Sequence, residues 1–89
     1  MDNLQKYRET INEIDKEMAV LFEKRMECAK LIAEYKRENN LPVKDEKREA
    51  DLILRNKGLL SDRSLEDYYE KFFKSVLDVS CEYQERLMG

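Results

Sequence analysis

The first 38 residues constrain the fold more than any other part of the chain. Residues 3 to 38 contain neither glycine nor proline, and their apolar residues recur at spacings that alternate between three and four. That spacing places them along one stripe of a helix. The stripe, which we call the seam, comprises Leu4, Tyr7, Ile11, Ile14, Met18, Leu21, Cys28, Ile32 and Tyr35. Such a helix would be about 50 Å long at a rise of about 1.5 Å per residue. A compact domain of 89 residues is narrower than this, so we expect the helix to protrude and to pair with another surface.

A second, shorter helix is predicted after the only proline of the chain. Two asparagines and then Pro42 end the first helix. Asp45 is a suitable N-cap for the next helix, because its carboxylate can accept a hydrogen bond from a free backbone N–H group. We expect this helix to run to about Lys57, with Gly58 as its C-terminal stop.

A third helix of medium length is predicted in the last third of the chain. Ser64, followed three residues later by Asp67, predicts a capping box at its start. The helix carries an apolar stripe of Leu65, Tyr69, Phe72, Phe73, Val76, Leu77, Tyr83 and Leu87. The sequence therefore predicts an all-α fold of one long, one short and one medium helix, in a single domain over residues 1–89.

Composition argues against several classes of function. The 17 basic and 20 acidic residues are interspersed and give a net charge of −3, which argues against nucleic-acid binding. No apolar run is long enough to span a membrane. Histidine is absent, and Cys28 and Cys81 lack the spacing of metal ligands, so we expect no metal site. Two distant cysteines also make no disulfide framework, and a reducing cytoplasm is the expected compartment.

Arg25 interrupts the seam between Leu21 and Cys28. A guanidinium that faces a core is costly unless a partner meets it. One interpretation is a structural arginine that pairs with a glutamate or extends outward to solvent. The other is a guanidinium kept for an anionic ligand, because its fork matches a carboxylate.

Two further cations lie at informative distances along the same helix. Lys36 lies eleven residues beyond Arg25, almost three whole turns, so the two share a face about 16 Å apart along the axis. They could hold one small dianion between them. Arg8 lies about 26 Å before Arg25 by the same rise. Arg8 would therefore have to serve a second site, or serve this site from a partner chain. The alternative interpretation is that Arg8 and Lys36 are ordinary surface residues.

Polar residues also break the pattern of the other two helices. Ser80 and Gln84 continue the apolar stripe of the third helix, either because its end frays toward solvent or because they face a polar pocket. Asp45, Arg48 and Glu49 lie in the first turn of the second helix. A carboxylate there suits the helix dipole and Arg48 opposes it. This cluster is either a structural salt-bridge patch or one wall of a binding site.

Together these residues resemble the all-helical AroQ class of chorismate mutases over essentially the whole chain. Four stretches carry the resemblance in order: YRETINEID, LFEKRMECAKLIAEYK, LPVKDEKRE and DVSCEYQ. The residues that match the family's binding positions are Arg8, Arg25, Lys36, Asp45, Arg48, Glu49, Ser80 and Gln84. No single stretch is specific to this family, but the occurrence of all four in this order and spacing within 89 residues is specific.

The resemblance implies an enzyme that converts chorismate to prephenate in phenylalanine and tyrosine biosynthesis. This intramolecular Claisen rearrangement needs no nucleophile, metal or cofactor. By resemblance, the fold is an intertwined homodimer in which Arg8 acts in the site of the partner chain. Arg25 and that Arg8 would clamp the substrate carboxylates.

The resemblance also implies roles for the other matching residues. Arg48 would lie near the carboxylates and Ser80 would add a hydrogen bond. Lys36 and Gln84 would donate to the ether oxygen. Glu49, with Asp45 nearby, would hold the ring hydroxyl. The catalytic residues would be Arg25, Lys36, Glu49 and Gln84.

Two alternatives stay open at this point. An isochorismate pyruvate-lyase of the same fold handles a related dicarboxylate with few groups. A non-enzymatic helical adaptor would use the seam as a coiled-coil surface. The adaptor interpretation predicts that Arg25 pairs with a glutamate of the protein and that there is no pocket.

Overall fold

The computed structural model describes residues 2–89, which form three α-helices and one short 3₁₀ turn. Helix α1 spans Asn3–Glu38, α2 spans Glu46–Lys57 and α3 spans Glu66–Met88, with the 3₁₀ turn at Arg63–Leu65. The described residues contain no β-strand. The predicted all-α fold of one long, one short and one medium helix is therefore confirmed.

Helix α1 ends in a Schellman motif at its two asparagines. Asn40 has a φ of 55°, in the left-handed region that asparagine tolerates better than most residues. Its N–H group bonds to the carbonyl of Arg37 at 3.4 Å, and the N–H group of Leu41 bonds to the carbonyl of Lys36 at 2.8 Å. These two bonds satisfy carbonyl groups that the helix end leaves free. The helix thus ends where the sequence predicts, just before the proline.

Helix α2 begins and ends as predicted. The carboxylate of Asp45 accepts a hydrogen bond from the backbone N–H group of Arg48 at 3.1 Å. At the other end the C-cap is Gly58, whose φ is −65°. Gly58 therefore ends the helix without the left-handed conformation for which glycine is usually selected.

The predicted capping box of α3 is wrong. Ser64 lies in the 3₁₀ turn, where its backbone N–H group and its hydroxyl both donate to Asp62, at 3.0 and 2.6 Å. These hydrogen bonds from Ser64 lower the pKa of Asp62. The N-cap of α3 is Leu65, one residue after the predicted Ser64, and it makes no side-chain capping bond.

The order of contacts defines the topology. The Arg25 side chain bonds to Ser80, and the Gln84 side chain bonds to Ala29, so both pairs are 55 residues apart. A constant offset means that α1 and α3 run side by side in the same direction. Helix α2 packs against α3, and Lys57 at its C-terminal end bonds to Glu70 near the start of α3. Helix α2 therefore runs in the opposite direction to α3.

The core of the single chain is small and lies between α1 and α3. Ala29 and Ala33, one turn apart on α1, are buried together with Leu77 of α3. Small side chains at these positions let the two helices approach closely. Two polar residues of α3, Ser80 and Gln84, are also buried, each about 8% exposed. The seam prediction missed this alanine face, because it followed only the larger apolar residues.

The N-terminal part of α1 protrudes from this core, as predicted. Residues 2–24 are all exposed, and the chain measures 57 × 25 × 15 Å. Its radius of gyration is 16.4 Å, whereas a compact chain of this length would have about 12 Å. The exposed large apolar side chains of this part are Leu4, Tyr7, Ile11, Ile14, Met18, Val20, Leu21 and Phe22. Among the described residues, no helix is both long enough and apolar enough to cross a lipid bilayer.

Candidate active site

A cavity of about 250 Å³ lies where the three helices meet. Its polar lining comes from all three helices and from the N-cap of α2: Arg25, Lys36, Asp45, Arg48, Glu49, Ser80 and Gln84. Its apolar lining includes Ile32, Val43, Leu52 and Leu77. The structure therefore brings together seven of the eight residues that the sequence singled out. Their roles stay predictions.

Arg25 is half-buried at one wall of this cavity. One of its terminal nitrogens donates to the hydroxyl of Ser80, and its guanidinium carbon lies 5.9 Å from the centre of the Phe73 ring. Four ion pairs join side chains within residues 2–89, and Arg25 takes part in none of them. Within residues 2–89, Arg25 therefore does not pair with a glutamate. A guanidinium has five N–H donors, so most of them remain for a ligand.

Gln84 is held by the backbone of α1. Its side-chain nitrogen donates to the carbonyl oxygen of Ala29 at 2.9 Å. An amide nitrogen has two N–H donors, and the second is not used by this bond. Both Ser80 and Gln84 are buried, so the interpretation of this region as a fraying helix end is wrong.

Lys36 is fixed to the loop that joins α1 to α2. Its ammonium donates to the carbonyl oxygen of Val43 at 2.8 Å, and its own carbonyl accepts from Leu41 at 2.8 Å. The side chain is half-buried and lines the cavity. An ammonium has three donors, so two remain available. One hydrogen bond therefore places the charge without neutralising it.

The charged cluster at the start of α2 is both a helix cap and a wall of the cavity. Asp45 caps the helix through Arg48, and both residues are exposed. Glu49 is more protected, with 26% of its side chain exposed, and one of its oxygens lies 3.8 Å from the ammonium of Lys44. The first turn and its cap thus present one cation and two carboxylates to the cavity.

The electrostatics of the cavity favour an anion. Its lining contains three cations, Arg25, Lys36 and Arg48, against two carboxylates, which leaves an excess of one positive charge. Cys81 also lines the cavity and adds no charge at neutral pH. Burial, followed by the hydrogen bond from its thiol to Glu85, raises the pKa of Cys81.

Arg8 is the one predicted residue that the chain does not bring to the cavity. It lies in the second turn of α1, within the exposed N-terminal part, and is absent from the cavity lining. This placement agrees with the distance argument from helix rise: Arg8 cannot reach the cavity of its own chain.

Some lining residues were not singled out from the sequence. Leu52 and Leu77 carried a detectable signal, because they lie on the apolar faces of their helices. Val43 lies in a loop, and no periodic pattern could reveal that its carbonyl binds Lys36. The helical-adaptor alternative predicted no pocket and a glutamate partner for Arg25, whereas the described residues form a cavity and give Arg25 no ion pair.

Comparisons with known proteins place this geometry in context. The family model described as "Chorismate mutase type II" matches residues 7–85. The chain is 32% identical, over 89 residues and 99% of its length, to the protein named "Bifunctional chorismate mutase/prephenate dehydratase" from Buchnera aphidicola subsp. Schizaphis graminum (strain Sg). The chain spans about a quarter (23%) of the length of that relative. No solved structure matches the chain.

Proposed function

The chain belongs to the chorismate mutase type II family, and we propose that it converts chorismate to prephenate in the cavity between its three helices. The reaction breaks one carbon–oxygen bond and forms one carbon–carbon bond within a single molecule. It needs a folded substrate and stabilisation of the ether oxygen as its bond breaks. The supporting observation is that Arg25, a half-buried cation with no ion-pair partner in the described part of the chain, lines the same cavity as Lys36 and Gln84.

The carboxylate clamp centres on Arg25. A guanidinium can bind a carboxylate with two parallel hydrogen bonds. The Ser80 hydroxyl and the Phe73 ring hold this group in place before substrate arrives. Arg48 contributes a second cation at the wall of the cavity. The apolar lining residues would pack against the substrate ring and favour its reactive conformation.

Lys36 and Gln84 donate to the ether oxygen. Each is already tied to a backbone carbonyl, Lys36 to Val43 and Gln84 to Ala29, and each retains at least one donor. Donors that are fixed in advance stabilise developing charge without reorganising during the reaction. Glu49, with Asp45 nearby, accepts a hydrogen bond from the ring hydroxyl.

The working enzyme is an intertwined homodimer. A second copy would cover the apolar residues of the protruding part of α1, whose exposure is costly in water. The partner would also bring its Arg8 to the cavity. That cation would raise the excess positive charge of the lining from one to two, which matches a substrate with two carboxylates.

The remaining expectations follow from this function. We place the chain, as one domain over residues 1–89, in the biosynthesis of phenylalanine and tyrosine. Both cysteines are free thiols, which is compatible with a reducing cytoplasm. The prephenate dehydratase activity in the name of the Buchnera protein is a property of that longer relative.

The direct test is to add chorismate to the purified chain and to follow its ultraviolet absorbance. We expect chorismate to disappear with stoichiometric formation of prephenate and without release of pyruvate. Arg25→Ala should abolish this turnover while retaining the helical circular dichroism spectrum. Pyruvate release from isochorismate without prephenate formation from chorismate would favour the lyase instead.

A further inference from the structure

We propose that Lys44 is a positioning residue that keeps Glu49 away from the cations of the carboxylate clamp. This inference rests on the proposed function. Lys44 does not line the cavity, but its ammonium lies 3.8 Å from a carboxylate oxygen of Glu49. The side chain of Lys44 is 51% exposed and that of Glu49 is 26% exposed. Lys44 therefore attracts Glu49 from the solvent side of the cavity wall.

The separation of the two charges suits this task. A distance of 3.8 Å is too long for a hydrogen bond, so the attraction is Coulombic. It orients the Glu49 carboxylate without occupying the lone pairs that a ligand hydroxyl would use. A shorter, hydrogen-bonded ion pair would hold Glu49 more tightly but would leave it fewer acceptor positions.

The backbone on both sides of Lys44 is fixed, so its side chain starts from a defined point. The carbonyl of Val43 accepts from Lys36, and the side chain of Asp45 accepts from the N–H group of Arg48. The backbone N–H group of Glu49 in turn donates to the carbonyl of Asp45 at 3.0 Å. These hydrogen bonds fix the backbone of the first turn of α2, which lies between Lys44 and Glu49.

Cys81 of α3 lines the same cavity as Glu49. Burial and the hydrogen bond to Glu85 are the main causes of the raised pKa of Cys81, and Lys44 and Glu49 act on it in opposite directions. Among the residues that the structure describes, no carboxylate other than Glu49 lies within 4 Å of the Lys44 ammonium.

Glu49 shares the cavity with three cations that have no protein ion-pair partner in the described chain. Without Lys44, the Glu49 carboxylate would still share the cavity with the cations Arg25, Lys36 and Arg48. An internal ion pair with any of them would compete directly with the substrate carboxylates. Loss of Lys44 should therefore weaken substrate binding, although Lys44 itself does not touch the substrate.

The test compares Lys44→Gln with two matched variants. Lys44→Arg keeps the charge. Lys47→Gln removes an equal charge from the adjoining first turn of α2, at an exposed residue that forms no ion pair with any residue from 2 to 89. We expect Lys44→Gln to lower kcat/KM for chorismate by about threefold to tenfold, in the range of coupling between neighbouring charges. Most of this loss should come from a higher KM. Lys44→Arg and Lys47→Gln should stay within about twofold of wild type.

A double-mutant cycle with Glu49→Gln decides whether Lys44 acts through Glu49. In the Glu49→Gln background, Lys44→Gln should have no further effect on KM, because no carboxylate remains to enter the clamp. An equal KM increase in both backgrounds would overturn the proposal, as would equal losses for Lys44→Gln and Lys47→Gln. An inactive, folded wild-type chain would instead refute the proposed function. Full activity in wild type and in Lys44→Gln would refute only the role of Lys44.

Discussion

The side-chain nitrogen of Gln84 donates to the carbonyl oxygen of Ala29 at 2.9 Å, which fixes a buried donor of α3 against the backbone of α1. Ala29 is itself almost fully buried, at 5% exposure. The bond explains how a polar residue can occupy the core, because its hydrogen-bonding capacity is used there. It also leaves one N–H donor of the amide for the cavity.

This relationship predicts a pH dependence for Gln84→Glu. A carboxyl group donates only when it is protonated, so the variant should be weak at neutral pH and should recover as pH falls. Burial and the Ala29 carbonyl oppose ionisation of the introduced carboxyl, whereas Lys36 favours it. Recovery should be partial, because a protonated carboxyl has only one O–H donor, whereas both the Ala29 carbonyl and the ether oxygen of the substrate would need one. The measurement is the rate relative to wild type between about pH 4.5 and 8, the range over which a carboxyl of ordinary or raised pKa titrates.

The control for this experiment is Gln84→Ala, which should be slow at every pH. Circular dichroism should accompany each rate to confirm that the chain is folded. A ratio of Gln84→Glu to wild type that stays flat across the range would remove Gln84 from the donor role. Lys36 would then be the sole proposed donor to the ether oxygen.

Arg25→Leu separates catalysis from stability. Arg25 is half-buried and has no ion-pair partner between residues 2 and 89, so an apolar side chain should pack at least as well against Phe73. The Ser80 hydroxyl would lose its partner, but a helical serine can bond to the carbonyl four residues earlier. We expect the free energy of unfolding to be unchanged or to rise by about 1 kcal/mol, while catalysis falls by orders of magnitude. Denaturation by urea measures the free energy of unfolding, and chorismate turnover measures catalysis. A large loss of stability would mean that Arg25 is structural.

Ile14→Asp tests whether the seam forms the dimer interface. Ile14 lies on the seam and is 48% exposed in the single chain. If a second copy covers it, the substitution should weaken the dimer by more than about tenfold, because burial of one isoleucine contributes roughly 1.5–3 kcal/mol. Light scattering should give about twice the chain mass of 10.7 kDa for wild type and a concentration-dependent, lower mass for the variant. Asn12→Asp, off the seam on the same helix, is the matched control and should remain dimeric. A fully active wild-type monomer would contradict the interface.

Helix boundaries were predictable where the signals that set them are local. Asp45, Pro42 and Gly58 act within one turn of their own positions, and each of these boundaries lies where the sequence places it. The start of α3 was not predictable in the same way. The spacing of Ser64 and Asp67 suggested a cap, but the Ser64 hydroxyl bonds to Asp62 instead, and only the folded backbone decides between such alternatives.

Three residues of the candidate site were predictable because they violate an apolar pattern, whereas Lys36 and the charged cluster of α2 were singled out by helical spacing, by charge and by the family resemblance. Arg25, Ser80 and Gln84 each stand where an apolar residue is expected, and each lines the cavity. The alanine face of α1 was missed because the pattern was read from large apolar side chains, and Ala29 and Ala33 are small. Contacts that depend on the loop, such as Lys36 with Val43, have no sequence signature at all.

We propose that each site combines Arg25 of one chain with Arg8 of another, and complementation between inactive variants tests this arrangement. Arg8→Ala and Arg25→Ala should each be nearly inactive alone. After unfolding and refolding in equal amounts, about half of the dimers would be mixed by random pairing. Each mixed dimer would hold one intact site and one site with both lesions, which predicts about one quarter of wild-type activity.

The matched control mixes Arg25→Ala with Lys36→Ala, two residues that line the same cavity of one chain. Every site of that mixture retains a lesion, so no activity should return. The decisive measurement is the chorismate mutase rate of the refolded Arg8→Ala and Arg25→Ala mixture, with mixed dimers verified by mass. About one quarter of the wild-type rate is the result predicted by random pairing, and a mixture as inactive as its parents would contradict the shared site.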